Sequence, residues 1–317
     1  VLKMYKEFFE LNDYPFSLTP DPRFIVFTPK YNELLAGIYY GVEMAKGLMM
    51  LTGEVGTGKT TALRWIIRRL DSSVLAAYIF NPHLTIDEFY QHISEMLGLG
   101  EHNSKTGLLL EMGRLLEERH NRGLRTMLIV DEAHELSGEL MEEIRLLLNF
   151  ESDSAKFLQI ILTGQPELKE RLRRRDLRQL KQRIALKCEM PILSDVGEVE
   201  RFILERLKLA GAKSDSIFNG EAIELIYQCS EGIPRQINNL CDNALIAAFA
   251  ANQKTVSRKM VEEVASNLDL LPDRDNLLAQ DRQAAEIRST RVLSERGFDD
   301  LISKVRDEDE VTSFEAV

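Results

Sequence analysis

Gly53-Glu54-Val55-Gly56-Thr57-Gly58-Lys59-Thr60 fits the spacing G-x-x-x-x-G-K-[ST] at every position. Glycines let a backbone wrap closely around an anion, so that successive N–H groups and a helix N-terminus face phosphate oxygens. A lysine at this spacing reaches the β- and γ-phosphates of a nucleotide, and the hydroxyl that follows it ligates Mg²⁺. Binding of a nucleoside triphosphate is therefore expected at Gly53, Glu54, Val55, Gly56, Thr57, Gly58, Lys59, Thr60 and Thr61, with Mg²⁺ at Thr60. A chance match in a glycine-rich turn would lack the flanks found here. Leu48-Met49-Met50-Leu51 reads as a short buried strand, and 60–67 as the first turns of a helix.

Met127-Leu128-Ile129-Val130-Asp131-Glu132 supplies the second half of such a site. An apolar strand ending in two acids sets Asp131 at the carboxyl edge of a parallel sheet, where ligands bind. Asp131 is expected to hold Mg²⁺ through water, and Glu132 to polarise the attacking water as general base. Asp131-Glu132-Ala133-His134 also spells the four letters of a DEAH helicase. That reading is set aside, because a helicase needs a second α/β core with paired arginines and only helical sequence follows this sheet. His134 is read as an orienting or structural histidine.

These residues need a scaffold, and the apolar periodicity outlines one. Strands are predicted at 73–80, 126–130, 157–162 and 184–190, with helices at 85–97, 107–121 and 138–149 and a basic helix within 169–187. Near-continuous apolar strands separated by amphipathic helices imply an α/β fold, a parallel sheet covered on both faces. After Pro191 the segments 198–209, 220–229, 234–250 and 257–268 read as helices with no strand between them. Four parts follow from this reading. Residues 1–46 form an N-terminal segment with a proline-rich turn at 14–22 and a helix at 31–44, leading into the core. Residues 47–193 form the α/β P-loop NTPase core, 194–270 an all-α lid, and 271–317 a charged, flexible tail with a helix near 277–289.

Composition is that of a soluble globular protein, 44% hydrophobic and 29% charged over 317 residues. The longest apolar run, 244–251, is far short of a membrane span, and no signal peptide opens the chain, so a cytoplasmic protein is expected. Cys188, Cys229 and Cys241 share no metal-ligand spacing and read as reduced thiols. A net charge of −11 argues against a protein that coats nucleic acid over its whole surface. One local basic stretch stands out: Arg171, Arg173, Arg174, Arg175, Arg178, Lys181 and Arg183 are opposed within it only by Glu170 and Asp176. A solvated helix face, a subunit interface and a nucleic-acid contact all fit it.

Three further positions extend the site. Thr163-Gly164-Gln165 ends the strand after the Asp-Glu strand, where a polar side chain senses a γ-phosphate, and Thr163 and Gln165 both qualify. Arg183 closes the basic stretch just before the last strand. It is the leading candidate for an arginine finger acting on a neighbouring subunit, with Arg178 and Arg175 as alternatives. Gly232-Ile233-Pro234-Arg235 opens a lid helix, from which Arg235 would contact phosphate.

This ordered set resembles the AAA+ ATPases, with the phosphate loop as Walker A and the Asp-Glu strand as Walker B. Tyr5-Lys6-Glu7-Phe8-Phe9, Pro15-Phe16-Ser17-Leu18-Thr19-Pro20-Asp21-Pro22, the run 52–61, Asp131-Glu132-Ala133-His134 and Leu162-Thr163-Gly164-Gln165-Pro166-Glu167-Leu168 narrow the likeness. Over roughly residues 4–268 the chain is similar to the general secretion pathway protein A family. The resemblance implies ATP and Mg²⁺ as ligands, and no guanine-specific N-K-x-D motif follows the sheet. It also implies a homo-oligomeric ring working beside the bacterial inner membrane with a protein partner from secretion, pilus or exopolysaccharide machinery. Relatives include regulators of DNA transposition, so a DNA-binding ATPase switch using the basic stretch is the alternative. Secretion members continue into a membrane span and a peptidoglycan-binding domain, and this sequence carries neither. The expectation is either a shortened chain or a short cytoplasmic member that reaches the membrane through a partner.

Overall fold

The computed structural model describes residues 5–19, 21–70, 73–100, 104–153 and 155–272. In chain order they form α1 (Tyr5–Phe8), α2 (Pro29–Glu43), β1 (Leu48–Thr52), α3 (Lys59–Arg69), β2 (Val74–Ile79), α4 (Ile86–Leu97), α5 (Lys105–Asn121), β3 (Arg125–Val130), α6 (Gly138–Leu147), β4 (Leu158–Gly164), α7 (Glu167–Arg171), α8 (Arg178–Gln182), β5 (Ile184–Glu189), α9 (Val196–Leu209), α10 (Gly220–Ser230), α11 (Pro234–Ala250) and α12 (Arg258–Asn267). The strands make one sheet in the order β2-β3-β4-β1-β5, and every neighbouring pair is parallel. Side chains alternate across a strand, and the central strands show it. Leu48 and Met50 of β1, with Leu128 and Val130 of β3, enter the core under α4, α5 and α6. Met49 and Leu51, with Met127 and Ile129, face α2 and α3 on the other side. Both faces of these central strands are dry, which is why they read as nearly unbroken apolar runs.

Six of the helices start where a side-chain cap satisfies first-turn N–H groups. Thr28 caps α2, Thr85 forms a capping box with Glu88 at α4, and Ser104, Ser137, Asp195 and Asn219 cap α5, α6, α9 and α10. The expected basic helix within 169–187 is not one helix. It breaks into α7, a 3₁₀ turn at Arg175–Leu177 and α8, with Arg174 extended between them. The cause is packing: Leu168, Leu172, Leu177 and Leu180 are all buried. Their spacing of four, five and three residues cannot stay on one face of a continuous 3.6-residue helix.

The N-terminal segment does more than lead into the core. The Tyr5 hydroxyl donates to Asp242 of α11, and Lys254 donates to the Phe8 carbonyl. The Asn12 N–H reaches the Ala210 carbonyl at 2.7 Å. Residues 5–24 thus strap onto the helices that follow the sheet before the chain enters α2. All of this lies in a first compact unit, Val1–Val264. In the second unit, Ala265–Val317, only 265–272 are described. There the last turn of α12 closes with the Leu270 N–H on the Ala265 carbonyl at 2.9 Å. The expected helix near 277–289 and the acidic tail lie outside the described residues.

Candidate functional site

The strand order sets the site. β4 lies between β1 and β3, so its carboxyl end is flanked by the glycine loop on one side and the acids on the other. Thr52 passes directly into the loop, and the Gly53 N–H bonds the Gly164 carbonyl at 3.2 Å. Gly58 caps α3 in the left-handed region at φ 96°, a conformation that costs a residue with a Cβ. Gly56 is needed for a second reason: a Cβ there would stand 2.6 Å from the Cβ of Arg235.

Lys59 is buried at 6% exposure, and its ammonium donates to the carbonyls of Gly53 at 2.8 Å and Glu54 at 3.0 Å. Burial pulls it below the ordinary lysine range, against the opposing pull of the Glu132 and Asp131 carboxylates. Asp131, also 6% exposed, ends β3. Its Oδ2 accepts from the Thr60 hydroxyl at 3.0 Å and from the Tyr78 hydroxyl at 2.5 Å. Its Oδ1 accepts from the Glu132 N–H at 3.0 Å. Glu132 itself takes the left-handed conformation, φ 48°, which swings its side chain out of the strand direction. Glu132 lines the cleft, and its Oε2 is buried with no hydrogen-bond partner among the described residues.

Beside these groups lies a cleft of about 510 Å³. Val55, Gly56, Thr57, Gly58, Lys59, Thr60, Thr61, Glu132, Gln165 and Arg235 line it, whereas Gly53, Glu54, Asp131 and Thr163 do not. Thr163 and Gln165 are thereby separated. Thr163 sits inside β4 opposite Leu51, fully buried, with its hydroxyl unpartnered among the described residues. Arg235 is tied to the loop by its own N–H, 3.1 Å from the Gly56 carbonyl. Arg183 lies elsewhere. It precedes β5, at the amino edge of the sheet, and its Nη1 is buried without a partner among the described residues. Its charge adds to burial in pulling the nearby Lys156 ammonium down.

Sequence reasoning left out the other wall of the cleft. Ser17, Leu18, Thr19, Asp21 and Phe24 line it from the N-terminal strap, Val26 from the stretch between the strap and α2, and Phe202, Arg206 and Asn238 from α9 and α11. Arg206 joins the two sides. It donates to the carbonyls of Pro15 at 2.7 Å and Phe24 at 3.0 Å, and its guanidinium lies 5.4 Å from the Phe24 ring and 5.3 Å from the Phe202 ring. Burial lowers it to about 10, which still leaves it charged at neutral pH. The sequence did carry a signal, the proline-rich turn at 14–22, but nothing in it said that the turn faces the nucleotide loop. Tyr78 was missed as well, as the one polar tip in an apolar strand.

The AAA domain family matches residues 42–172. With a glycine loop after β1, acids after β3 and a helical lid after β5, this chain is an AAA-domain protein of the AAA+ fold. Solved structures agree at the level of fold. The ORC2 protein of Aeropyrum pernix, solved as ADPNP-ADP complexes, superposes with a TM-score of 0.60 at 19% identity, over 80% of this chain and 71% of that one. Cdc6p of Pyrobaculum aerophilum does so with 0.61 at 16% identity, over 84% and 74%. In sequence the chain is 40% identical over 250 residues to General secretion pathway protein A of Aeromonas hydrophila. That alignment takes in 78% of this chain but 45% of the relative, so the chain spans about half the relative's length. Among the described residues no helix is long and apolar enough to cross a membrane.

Proposed function

We propose that the chain binds ATP with Mg²⁺ and hydrolyses it, and that this cycle serves assembly of a bacterial envelope apparatus. The observation that carries the reading is the convergence of Lys59, Thr60, Asp131 and Glu132 at the carboxyl edge of the sheet, beside the cleft. In this reading Lys59 exchanges its two loop carbonyls for phosphate oxygens. Glu132 takes the proton of the attacking water, Gln165 senses the γ-phosphate from the cleft wall, and Thr163 supports it from within β4. Arg235 brings the lid onto the phosphates, and Arg183 acts on a neighbour's nucleotide in a ring.

Mg²⁺ would be held by the Thr60 hydroxyl and the Asp131 carboxylate, whose hard oxygens suit it. Among the described residues no group of three or more His, Cys, Asp and Glu is placed to hold a metal. That fits an ion that arrives with the triphosphate and keeps most of its water ligands. Bound there, it would neutralise charge on the β- and γ-phosphates.

The named relative supports the general secretion pathway as the setting; a protein partner there, and a place on the cytoplasmic side of the inner membrane through that partner, are part of the proposal. The division at 47–193, 194–270 and 271–317 into core, lid and tail belongs to the same reading. A DNA-binding switch remains the second reading, because Arg173, Arg175 and Arg178 are exposed and form no ion pair among the described residues. Contacts by about six such cations to a phosphate backbone weaken steeply with salt.

Steady-state ATP hydrolysis measured against protein concentration, with and without duplex DNA, tests both. A rate per subunit that rises with concentration and ignores DNA supports the ring-forming envelope ATPase. A rate that stays low until DNA is added, and is lost when Arg173, Arg174 and Arg175 are changed to Glu, puts the switch first. No hydrolysis under any condition overturns both.

A further inference from the structure

His134 takes no part in the roles assigned above, yet it stands between two residues that do. Its side chain is only 7% exposed, and its Nδ1 lies 3.4 Å from Glu132 Oε2. The same nitrogen accepts the Gln165 N–H at 3.5 Å. Its Nε2 faces Glu135 Oε1 at 3.4 Å. The ring has room there because residue 164 is glycine: a Cβ would stand 3.2 Å from Nδ1. The backbone around it is pinned, since the Arg171 guanidinium donates to the carbonyls of His134 and Leu136.

The 3.4 Å approach to Glu132 is within ion-pair reach, but it is not aligned as a hydrogen bond, and Oε2 is left buried without a donor. A buried carboxylate oxygen in that state is costly, so a donor within reach stabilises it. One imidazole nitrogen cannot accept and donate together. With the proton on Nε2, toward Glu135, Nδ1 holds the Gln165 backbone. With the proton on Nδ1, it donates to Glu132 Oε2 and releases Gln165.

We propose that His134 is a positioning residue through which the end of β4 sets the orientation of the Glu132 carboxylate. The inference rests on the reading of Glu132 as general base. Gln165 lines the cleft and Glu132 must aim its other oxygen at water, and the two compete for a single nitrogen. A nucleotide that draws the Gln165 backbone off Nδ1 frees that nitrogen to fix Glu132. Without it the carboxylate is undirected. His134 touches neither nucleotide nor water.

The test compares His134→Ala, His134→Asn, His134→Gln, Glu132→Gln and the Glu132→Gln/His134→Ala double variant in the full chain. The readouts are kcat, KM, binding of a fluorescent ATP analogue, and melting temperature. Misplacing a reacting group by about 1 Å costs on the order of 10²-fold, so His134→Ala is expected to lose about tenfold to a hundredfold in kcat. KM and analogue binding should stay within about twofold, the pattern of an interaction made only in the transition state. Asn carries an amide atom at the branch position of Nδ1 and lacks anything at Nε2, so His134→Asn should regain part of the rate. Gln carries its amide one bond further out and should not. The double variant should be no slower than Glu132→Gln, because His134 acts only through Glu132.

The inference is overturned if His134→Ala keeps its kcat while Glu132→Gln loses it, or if the double variant falls well below Glu132→Gln. It is also overturned if Asn and Gln behave alike. Should Glu132→Gln itself turn over at the wild-type rate, the general-base reading falls first and takes this inference with it. His134→Asn against His134→Gln decides the matter even where the alanine variant does not fold.

Discussion

Tyr78 Oη stands 2.5 Å from Asp131 Oδ2, on the same oxygen that accepts the Thr60 hydroxyl at 3.0 Å. Two hydroxyls from two different elements, β2 and α3, therefore fix one carboxylate at the end of β3. A carboxylate held by two donors is preorganised, and hydrogen bonds to charged groups contribute about 1.5–3 kcal/mol each. Tyr78→Phe keeps the ring and removes one donor. It should cost about 1–2 kcal/mol in urea unfolding and raise several-fold the Mg²⁺ concentration that gives half-maximal hydrolysis. An unchanged Mg²⁺ requirement would mean that Tyr78 serves the fold alone.

Tyr78 is one of four phenols that the fold pushes above their ordinary value of 10.0. Burial is the main cause at Tyr5, Tyr31, Tyr78 and Tyr90, reinforced by Asp242 at Tyr5, Asp131 at Tyr78 and Glu143 at Tyr90. The sign follows from proton linkage. Above pH about 10 the unfolded chain sheds phenolic protons that the folded chain keeps, so stability is intact below that pH and falls as pH rises through it. Urea midpoints should therefore drop between pH about 9 and about 11, and Tyr78→Phe should make the drop shallower. A midpoint that is flat over that window would contradict the burial of these hydroxyls.

Arg206 makes its prediction through packing rather than titration. Its fork holds the Pro15 and Phe24 carbonyls while its plane lies between two phenylalanine rings. Lysine cannot reproduce a planar, two-pronged contact. Arg206→Lys should cost roughly 2–3 kcal/mol, expose the segment around 14–24 to limited proteolysis, and weaken nucleotide binding, because that segment forms one wall of the cleft. Added ATP should raise protease resistance further in the wild type and fail to restore it in the variant.

How far the sequence spoke depends on how local each signal was. The glycine loop and Asp131-Glu132 were readable because a contiguous run carries both the chemistry and its strand or helix. The sheet was readable because two dry faces leave unbroken apolar strands such as 127–130. Gln165 and Thr163 looked equivalent as letters, and only the end of β4 separates the one at the cleft from the one inside the strand. The basic stretch misled because charge, not the leucine spacing at 168, 172, 177 and 180, caught the eye. Arg206 and Tyr78 were invisible for a different reason. Their partners, Pro15, Phe24 and Asp131, are 191, 182 and 53 residues away, and no local pattern encodes such a meeting.

Arg183 offers the sharpest test of assembly. It sits at the amino edge of the sheet, away from its own cleft, with Nη1 buried and unpartnered among the described residues. A finger supplied to a neighbour is worth about 10³- to 10⁵-fold in turnover where one operates. Arg183→Ala should thus abolish hydrolysis while ATP binding survives, and Glu132→Gln should cut it to a small residual rate by a different route. Mixing the two impaired variants separates them. A subunit with Arg183→Ala keeps its own Glu132, and a Glu132→Gln neighbour still offers Arg183 to it. Equimolar mixtures should regain turnover, and increasingly so at higher protein concentration. If the mixture stays as inactive as its components, Arg183 does not act across a subunit boundary.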